Sequence, residues 1–104
     1  MLHLALHFLV PGAISTLCYQ KEWIRSYLLM MSTMVIDLDH LLAHPIYDPT
    51  RCSIGFHPLH EPWLCVVYVA LCLPRFTRLI GIGLVVHVGL DAIDCQVTGG
   101  IWIN

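Results

Sequence analysis

The stretch "LIGIGLVVHVGLDAIDC", residues 79–95, is apolar apart from one histidine and two aspartates. His87, Asp91 and Asp94 are spaced i, i+4 and i+7, so that an α-helix places all three on one face. An ionisable side chain in apolar surroundings is costly and usually pairs with another polar group. The stretch therefore predicts a helix in an apolar environment whose polar face meets partners from elsewhere in the chain.

Three further apolar segments precede it, at about residues 2–18, 26–43 and 59–74. Each of the four is about 16–18 residues long, at the short end of what spans a bilayer. Of the 104 residues, 58% are hydrophobic and 12% are charged, and the mean hydropathy is +0.76. A soluble domain carries about twice that share of charge and, at this size, has too small an interior for so many apolar side chains. We therefore predict an all-α fold, an integral membrane four-helix bundle that forms one transmembrane domain over residues 1–104.

The basic residues predict the orientation of this bundle. Lys21 and Arg25 lie between the first two segments, Arg75 and Arg78 lie between the last two, and Arg51 alone lies in the middle loop. Because basic residues concentrate on the cytoplasmic side, the first and third loops should face inward, and the middle loop and both termini outward. The net charge of -2 and the absence of a basic cluster give no support for a nucleic-acid partner.

The polar residues of the other segments fall at the same outer end. In the second segment, Asp37, His40 and His44 are spaced i, i+3 and i+7, which is again one helix face. With the predicted topology, all seven histidines and every acid except Glu22 lie at the outer end of the bundle, including His3, His7, Asp39, His57, His60 and Glu61. The polar residues therefore predict one site assembled from four helices.

Carboxylate and imidazole groups in apolar surroundings favour a divalent cation, which compensates their charge. Without thiolate ligands, such groups suit zinc, manganese or iron, or magnesium where histidines are few. The candidate ligands exceed the needs of one tetrahedral ion, and we expect two zinc ions (or manganese or magnesium) that share a carboxylate, held among His7, Asp37, Asp39, His40, His57, His60, His87 and Asp91. Sites with two metal ions hydrolyse phosphoesters. The five cysteines form no C-x-x-C pair, and a disulfide between Cys52 and Cys95 stays an open alternative.

The motifs also carry a family resemblance. His7, "DLDH" (residues 37–40), "HPLH" (residues 57–60) and "HVGLD" (residues 87–91) occur in an order that resembles the YdjM-like membrane-bound metal-dependent hydrolases, a group similar to zinc-dependent phospholipase C and the single-strand-specific zinc nucleases. The resemblance implies the ligands His7, Asp37 or Asp39, His57, His87 and Asp91, with Asp91 bridging two ions. The chain departs from that family at "FHPLHEP", where its members carry H-R-G-x-T-H-S, and it looks closer to short bacterial membrane proteins of unassigned function. The resemblance thus implies a bacterial membrane protein, and the orientation predicted from the basic residues places its site on the periplasmic side of the inner membrane.

Together, these patterns predict a membrane-embedded metal-dependent hydrolase that acts on a phosphoester of a lipid or lipid-linked substrate. Glu61, or whichever of Asp37 and Asp39 is not a ligand, would act as general base, and Arg51 would hold the phosphate. Two alternatives are a membrane bundle that binds or transports metal without catalysis and a bundle whose His/Asp cluster only fixes helix packing. Four short helices offer little surface to one another, which favours a homo-oligomer.

Overall fold

A computed structural model describes residues 2–42, 52 and 54–103, and for residues 2–4, 39 and 40 it describes the backbone alone. Within these residues the fold is helical without strands, which confirms the predicted all-α class. Four α-helices follow one another along the chain: α1 (Leu2–Cys18), α2 (Trp23–Ser32), α3 (Pro62–Ala70) and α4 (Arg78–Gly99). Three 3-10 segments lie between them, at Gln20–Glu22, Thr33–Leu42 and Pro58–His60.

The second predicted helix differs from the structure in its geometry. Residues Thr33–Leu42 continue α2 as a 3-10 helix of 10 residues, longer than the usual three or four. At the junction, the hydroxyls of Ser32 and Thr33 donate to the carbonyls of Leu29 and Met30, each three residues earlier in the chain. Hydroxyl groups that bond nearby carbonyls compete with the regular α-helical pattern, and the change of geometry occurs at this point.

The third predicted helix, at residues 59–74, is shorter in the structure. Pro62 occupies the start of α3, and Glu61 before it is extended, with ψ of 142°, as expected for a residue preceding proline. At the other end, Arg78 donates to the carbonyls of Cys72 and Leu73, and Thr77 donates to that of Leu71. These side chains satisfy carbonyls that a longer helix would have bonded internally.

Helix α4 is the centre of the bundle, because it contacts each of the other three α-helices. Its approach to α2 depends on Gly83: a Cβ there would lie 2.8 Å from the carbonyl oxygen and 2.9 Å from the Cα of Met30. The helix ends at Gly100, whose φ of 70° is the left-handed conformation that glycine adopts readily. Helix α4 thus continues one turn beyond residue 95, where the apolar stretch of the sequence ends.

Polar side chains occupy much of the interior, whereas large apolar side chains cover much of the outside. The buried polar residues are His7, Ser15, Ser26, Thr33, His57, His60, His87 and Asp91. Exposed large apolar residues occur on all four helices, for example Leu9, Leu28, Val66 and Val97. Among the described residues, α4 is the one helix long and apolar enough to cross a membrane, and only 33% of its most apolar stretch is buried inside the bundle. Length and apolarity by themselves are shared with the core helices of soluble proteins.

A disulfide joins Cys52 to Cys95 and answers the question that the sequence left open. The two Cα atoms are 4.9 Å apart, and 43 positions separate the cysteines along the chain. Cys95 lies one turn after Asp91 on α4, and Cys52 precedes the short 3-10 segment Pro58–His60. The disulfide therefore fastens the segment that carries His60 to the helix that carries Asp91.

Candidate metal centre

Three parts of the chain deliver four polar side chains to one point. Helix α4 contributes His87 and Asp91, which are four residues apart and lie on its buried face. The 3-10 segment Thr33–Leu42 contributes Asp37, and the turn before α3 contributes His60. These four side chains form the site that we call the metal centre, and their ligand atoms all lie within 4.8 Å of one another.

The shortest contacts of the metal centre join imidazole nitrogens to carboxylate oxygens. His87 Nε2 lies 3.0 Å from Asp37 Oδ1 and 3.2 Å from Asp91 Oδ2. His60 Nε2 lies 3.0 Å from Asp91 Oδ2 and 3.5 Å from Asp37 Oδ1. The two Nε2 atoms are themselves 3.3 Å apart. Each imidazole therefore directs the same nitrogen at the same two carboxylates.

These separations fit the coordination shell of a small divalent ion. Zinc bonds to imidazole nitrogen and carboxylate oxygen are about 2.0–2.2 Å long, so ligand atoms at tetrahedral corners lie roughly 3.3–3.6 Å apart. Of the five separations given above, which run from 3.0 to 3.5 Å, two fall in this range and three are shorter by 0.1–0.3 Å. Two carboxylates with two neutral imidazoles carry a charge of about -2, which a divalent cation balances in a site of low polarity. A metal ion can therefore bind among these four side chains.

His7 contacts the metal centre from α1. Its Nε2 lies 3.1 Å from Asp91 Oδ1, the carboxylate oxygen other than the one that faces His60 and His87. The His7 ring also meets the His87 ring edge to face, with centroids 4.5 Å apart. Asp91 thus presents one oxygen to the four-atom cluster and the other to His7.

The turn that carries His60 is held on several sides. The backbone N–H of Gly55 donates to the His60 carbonyl, and the His60 N–H donates to the His57 carbonyl. The Tyr68 hydroxyl on α3 donates to the carbonyl of Leu59 at 2.8 Å. His57 is buried beside His60, with ring centroids 5.7 Å apart. These contacts fix the backbone from which the His60 side chain projects.

The four side chains differ in exposure, and that difference gives the metal centre an open side. The side chain of His60 is 0% exposed, that of His87 is 2% and that of Asp91 is 11%, whereas that of Asp37 is 36% exposed. Asp37 is therefore the one side chain of the metal centre with a substantial exposed surface.

The predicted site residues fall into three groups. Five of them are together: Asp37, His60, His87 and Asp91 in the metal centre, with His7 in contact with Asp91. His57, which the family resemblance implied as a ligand, is buried one turn from His60. Glu61 is partly buried and occupies the position directly before α3. The side chains of Asp39 and His40, and all of Arg51, lie outside the described residues.

Met34 takes part in the site, although the sequence reasoning did not single it out. Its Sδ lies 3.2 Å from His87 Nδ1, the ring nitrogen that faces away from the carboxylates. A 3-10 helix has three residues per turn, so Met34 and Asp37 lie on one face of the same segment. The spacing of three from an aspartate was the available signal, but methionine in an apolar run is ordinarily a packing residue.

Over residues 1–98 the chain matches the family DUF6122, which is described as a family of unknown function. The chain belongs to this family. No curated protein matches it, and no solved structure does. Its function must therefore be inferred from the metal centre and its surroundings.

Proposed function

We propose that this member of DUF6122 is an integral membrane protein that binds a divalent metal ion and hydrolyses a phosphoester of a lipid or lipid-linked substrate. The observation that carries the proposal is the convergence of Asp37, His60, His87 and Asp91, with 3.0–3.5 Å between the nitrogen and oxygen atoms given above. Helix packing alone does not require that two carboxylates and two Nε2 atoms converge on one point.

The proposal that the protein lies in a membrane is supported by its polar interior and apolar outer surface, the reverse of a soluble protein. Lipid tails can cover the exposed apolar residues of all four helices, while the bundle interior shelters polar groups that lipid would disfavour. The 20 residues of α2 and the following 3-10 segment are together about 35 Å long if collinear, comparable with the roughly 30 Å hydrocarbon layer. Exposed patches of this extent on a soluble monomer would favour association.

The cysteines support an orientation with the metal centre toward the outside. Disulfides persist in oxidising compartments and are rare where thiols are kept reduced. The disulfide Cys52–Cys95 lies beyond Asp91 on α4, whereas two of the three free cysteines, Cys18 and Cys72, lie near the α1–α2 and α3–α4 connections, and the third, Cys65, lies in α3. Four of the five basic residues lie in or beside those same two connections, so both features favour a periplasmic site in a bacterial inner membrane.

Asp37, His60, His87 and Asp91 would hold the ion, which when bound supplies Lewis acidity and activates water. The partly exposed carboxylate of Asp37 marks the side from which substrate would enter. Glu61, directly after the ligand His60, is our candidate for the general base, and Arg51 remains our candidate for binding the phosphate. In the proposed topology the site would lie near the level of the headgroups, so that a lipid phosphoester could reach it without leaving the membrane.

A second ion would use the far oxygen of Asp91. That carboxylate has Oδ2 toward His60 and His87 and Oδ1 toward His7, at 3.0, 3.2 and 3.1 Å from their Nε2 atoms. A bridging carboxylate has this arrangement, which supports the two-ion form of the proposal, with zinc as the preferred metal and manganese or magnesium as alternatives.

A second candidate function is metal binding without hydrolysis. Four protein ligands already complete a tetrahedral shell, and closed shells of this kind are typical of structural zinc sites, whereas catalytic sites keep a position open. This observation supports a metal-storing or metal-stabilised bundle as the second candidate, whereas hydrolysis requires that Asp37 or a fifth coordination position give way to substrate.

The test compares Asp91→Asn with Asp94→Asn, since Asp94 lies one turn further along α4 and outside the metal centre. Protein purified in mild detergent would be analysed for bound metal by elemental mass spectrometry and for hydrolysis of phospholipid and polyprenyl-phosphate substrates. We expect one to two ions per chain and hydrolysis in the unmodified protein and Asp94→Asn, and loss of both in Asp91→Asn. Stoichiometric metal without hydrolysis would favour the second candidate, and absence of metal after incubation with zinc and manganese would refute both.

A further inference from the structure

The contact between Met34 and His87 determines which nitrogen of that histidine carries a proton. His87 Nδ1 lies 3.2 Å from Met34 Sδ, and His87 Nε2 lies among Asp37, Asp91 and His60. A thioether has no hydrogen to donate and accepts only weakly. A hydrogen bond between these atoms therefore requires the proton to be on Nδ1.

The opposite tautomer is disfavoured by the same geometry. With the proton on Nε2, the lone pair of Nδ1 would point at the lone pairs of sulfur across 3.2 Å. A metal-free network that only packs helices would want that tautomer, because an Nε2–H could donate to Asp37 Oδ1 at 3.0 Å. In the neutral ring, the sulfur atom thus opposes an Nε2–H hydrogen bond to Asp37 and favours a free Nε2 lone pair, which is the form that a metal ion binds.

We propose that Met34 is a positioning residue for the metal centre, which holds the neutral His87 ring in the Nδ1–H tautomer so that Nε2 is available to a metal ion. The inference rests on the proposed metal binding and adds the residue that prepares one ligand for it. Metal-ligating histidines generally donate their second N–H to a carboxylate, carbonyl or water, which orients the ring and sets the tautomer. Here a sulfur atom from the segment that also supplies Asp37 takes that role.

The size of the effect follows from the weakness of the acceptor. Removing the outer hydrogen-bond partner of a metal ligand weakens metal binding by about 10- to 100-fold. Because a thioether is a poor acceptor, we expect the lower end, about a 10-fold loss of zinc affinity, for a substitution that keeps the apolar volume.

Three variants separate hydrogen bonding from packing. Met34→Leu keeps the volume but has no acceptor, Met34→Gln offers a carbonyl oxygen that accepts strongly, and Met31→Leu is the matched control in α2. Zinc affinity would be measured by competition with a chromophoric chelator. Nitrogen-15 NMR of histidine-labelled, metal-free protein, at a pH where the ring is neutral, would report the His87 tautomer directly.

We expect Met34→Leu to bind zinc about 10-fold more weakly and to shift His87 toward the Nε2–H form, while Met34→Gln restores both and Met31→Leu changes neither. Equal affinity in Met34→Leu and the unmodified protein, with the tautomer unchanged, would overturn the inference while leaving metal binding intact. A loss in Met34→Gln as large as in Met34→Leu would assign Met34 to packing. If the unmodified protein bound no metal, the proposed function would fail, and the NMR tautomer would still decide the role of Met34.

Discussion

Replacing Gly83 with alanine tests whether the close approach of α4 to α2 sets the geometry of the metal centre. The added Cβ would lie 2.8 Å from the Met30 carbonyl oxygen and 2.9 Å from Thr33 Oγ1, whereas ordinary contacts begin at 3.4 Å. The helices must therefore separate locally by about 0.6 Å. Overpacking of this kind costs about 1–3 kcal/mol of folding stability.

The same displacement reaches the site, because His87 lies four residues after Gly83 on α4 and Asp37 lies four residues after Thr33 in the 3-10 segment. Ligand geometry must hold to within roughly 0.5 Å, so we expect Gly83→Ala to weaken zinc binding by about 10- to 100-fold. Gly89→Ala is the control on the same helix, since a Cβ there meets nothing within 4 Å. That change should stabilise the helix by about 0.5–1 kcal/mol and leave zinc binding unchanged.

Thermal unfolding in detergent and chelator competition, run in parallel on the two variants, measure both effects. We expect a lower unfolding temperature and weaker zinc binding in Gly83→Ala alone. If Gly83→Ala unfolded at the same temperature as Gly89→Ala and bound zinc as tightly, the helix contact at Met30 would not position the metal centre, and the reasoning from close packing would be refuted.

Three further predictions concern the disulfide, the choice of histidine and the orientation. Cys95→Ser should lower the free energy of unfolding by about 4 kcal/mol, because the bridge joins residues 43 positions apart, and should weaken zinc binding, whereas Cys18→Ser should change neither. If the two variants behaved alike in thermal unfolding and chelator competition, this prediction would be wrong. His60→Gln should abolish stoichiometric metal and His57→Gln should retain it in elemental analysis, and the reverse result would favour the ligand that the family resemblance implied. In sealed vesicles with native orientation, Cys18 should react with a membrane-impermeant maleimide only after the vesicles are opened, and labelling from outside would invert the proposed topology.

The number of α-helices and the bounds of α1 could be predicted because they depend on local patterns. Helix α1 runs from Leu2 to Cys18, as predicted at residues 2–18, and the stop of α4 at Gly100 follows from the freedom of glycine to adopt positive φ. The i, i+4 spacing of His87 and Asp91 also survives folding unchanged, since it needs only that the segment be helical.

Features that depend on tertiary contacts could not be predicted in the same way. The 3-10 geometry of Thr33–Leu42 extends over ten residues, whereas such helices usually span three or four, so an apolar segment of this length predicts an α-helix instead. The prominence of His60 over His57 depends on the turn at Gly55, whose φ is 83°, and on the anchoring of that turn by Tyr68. The role of Met34 could not be predicted, because methionine in an apolar segment is ordinarily a packing residue.

The interior of the bundle changes character along α4, and this change links the fold to the proposed chemistry. Near Gly83 and Leu84 the helices meet through backbone and apolar side chains, whereas around His87 and Asp91 the interior consists of imidazole and carboxylate groups. Groups of the second kind stabilise a fold only when their charges are compensated. In the proposed function, a bound ion therefore stabilises the outer part of the native bundle as well as supplying chemistry, because an ion that binds the folded chain alone shifts the folding equilibrium toward it. The disulfide closes the same region through Cys95, where the small apolar core of a short chain would otherwise leave the His60 segment weakly held. In the proposed function, metal and disulfide would thus occupy the position in which a larger soluble domain would place further apolar side chains.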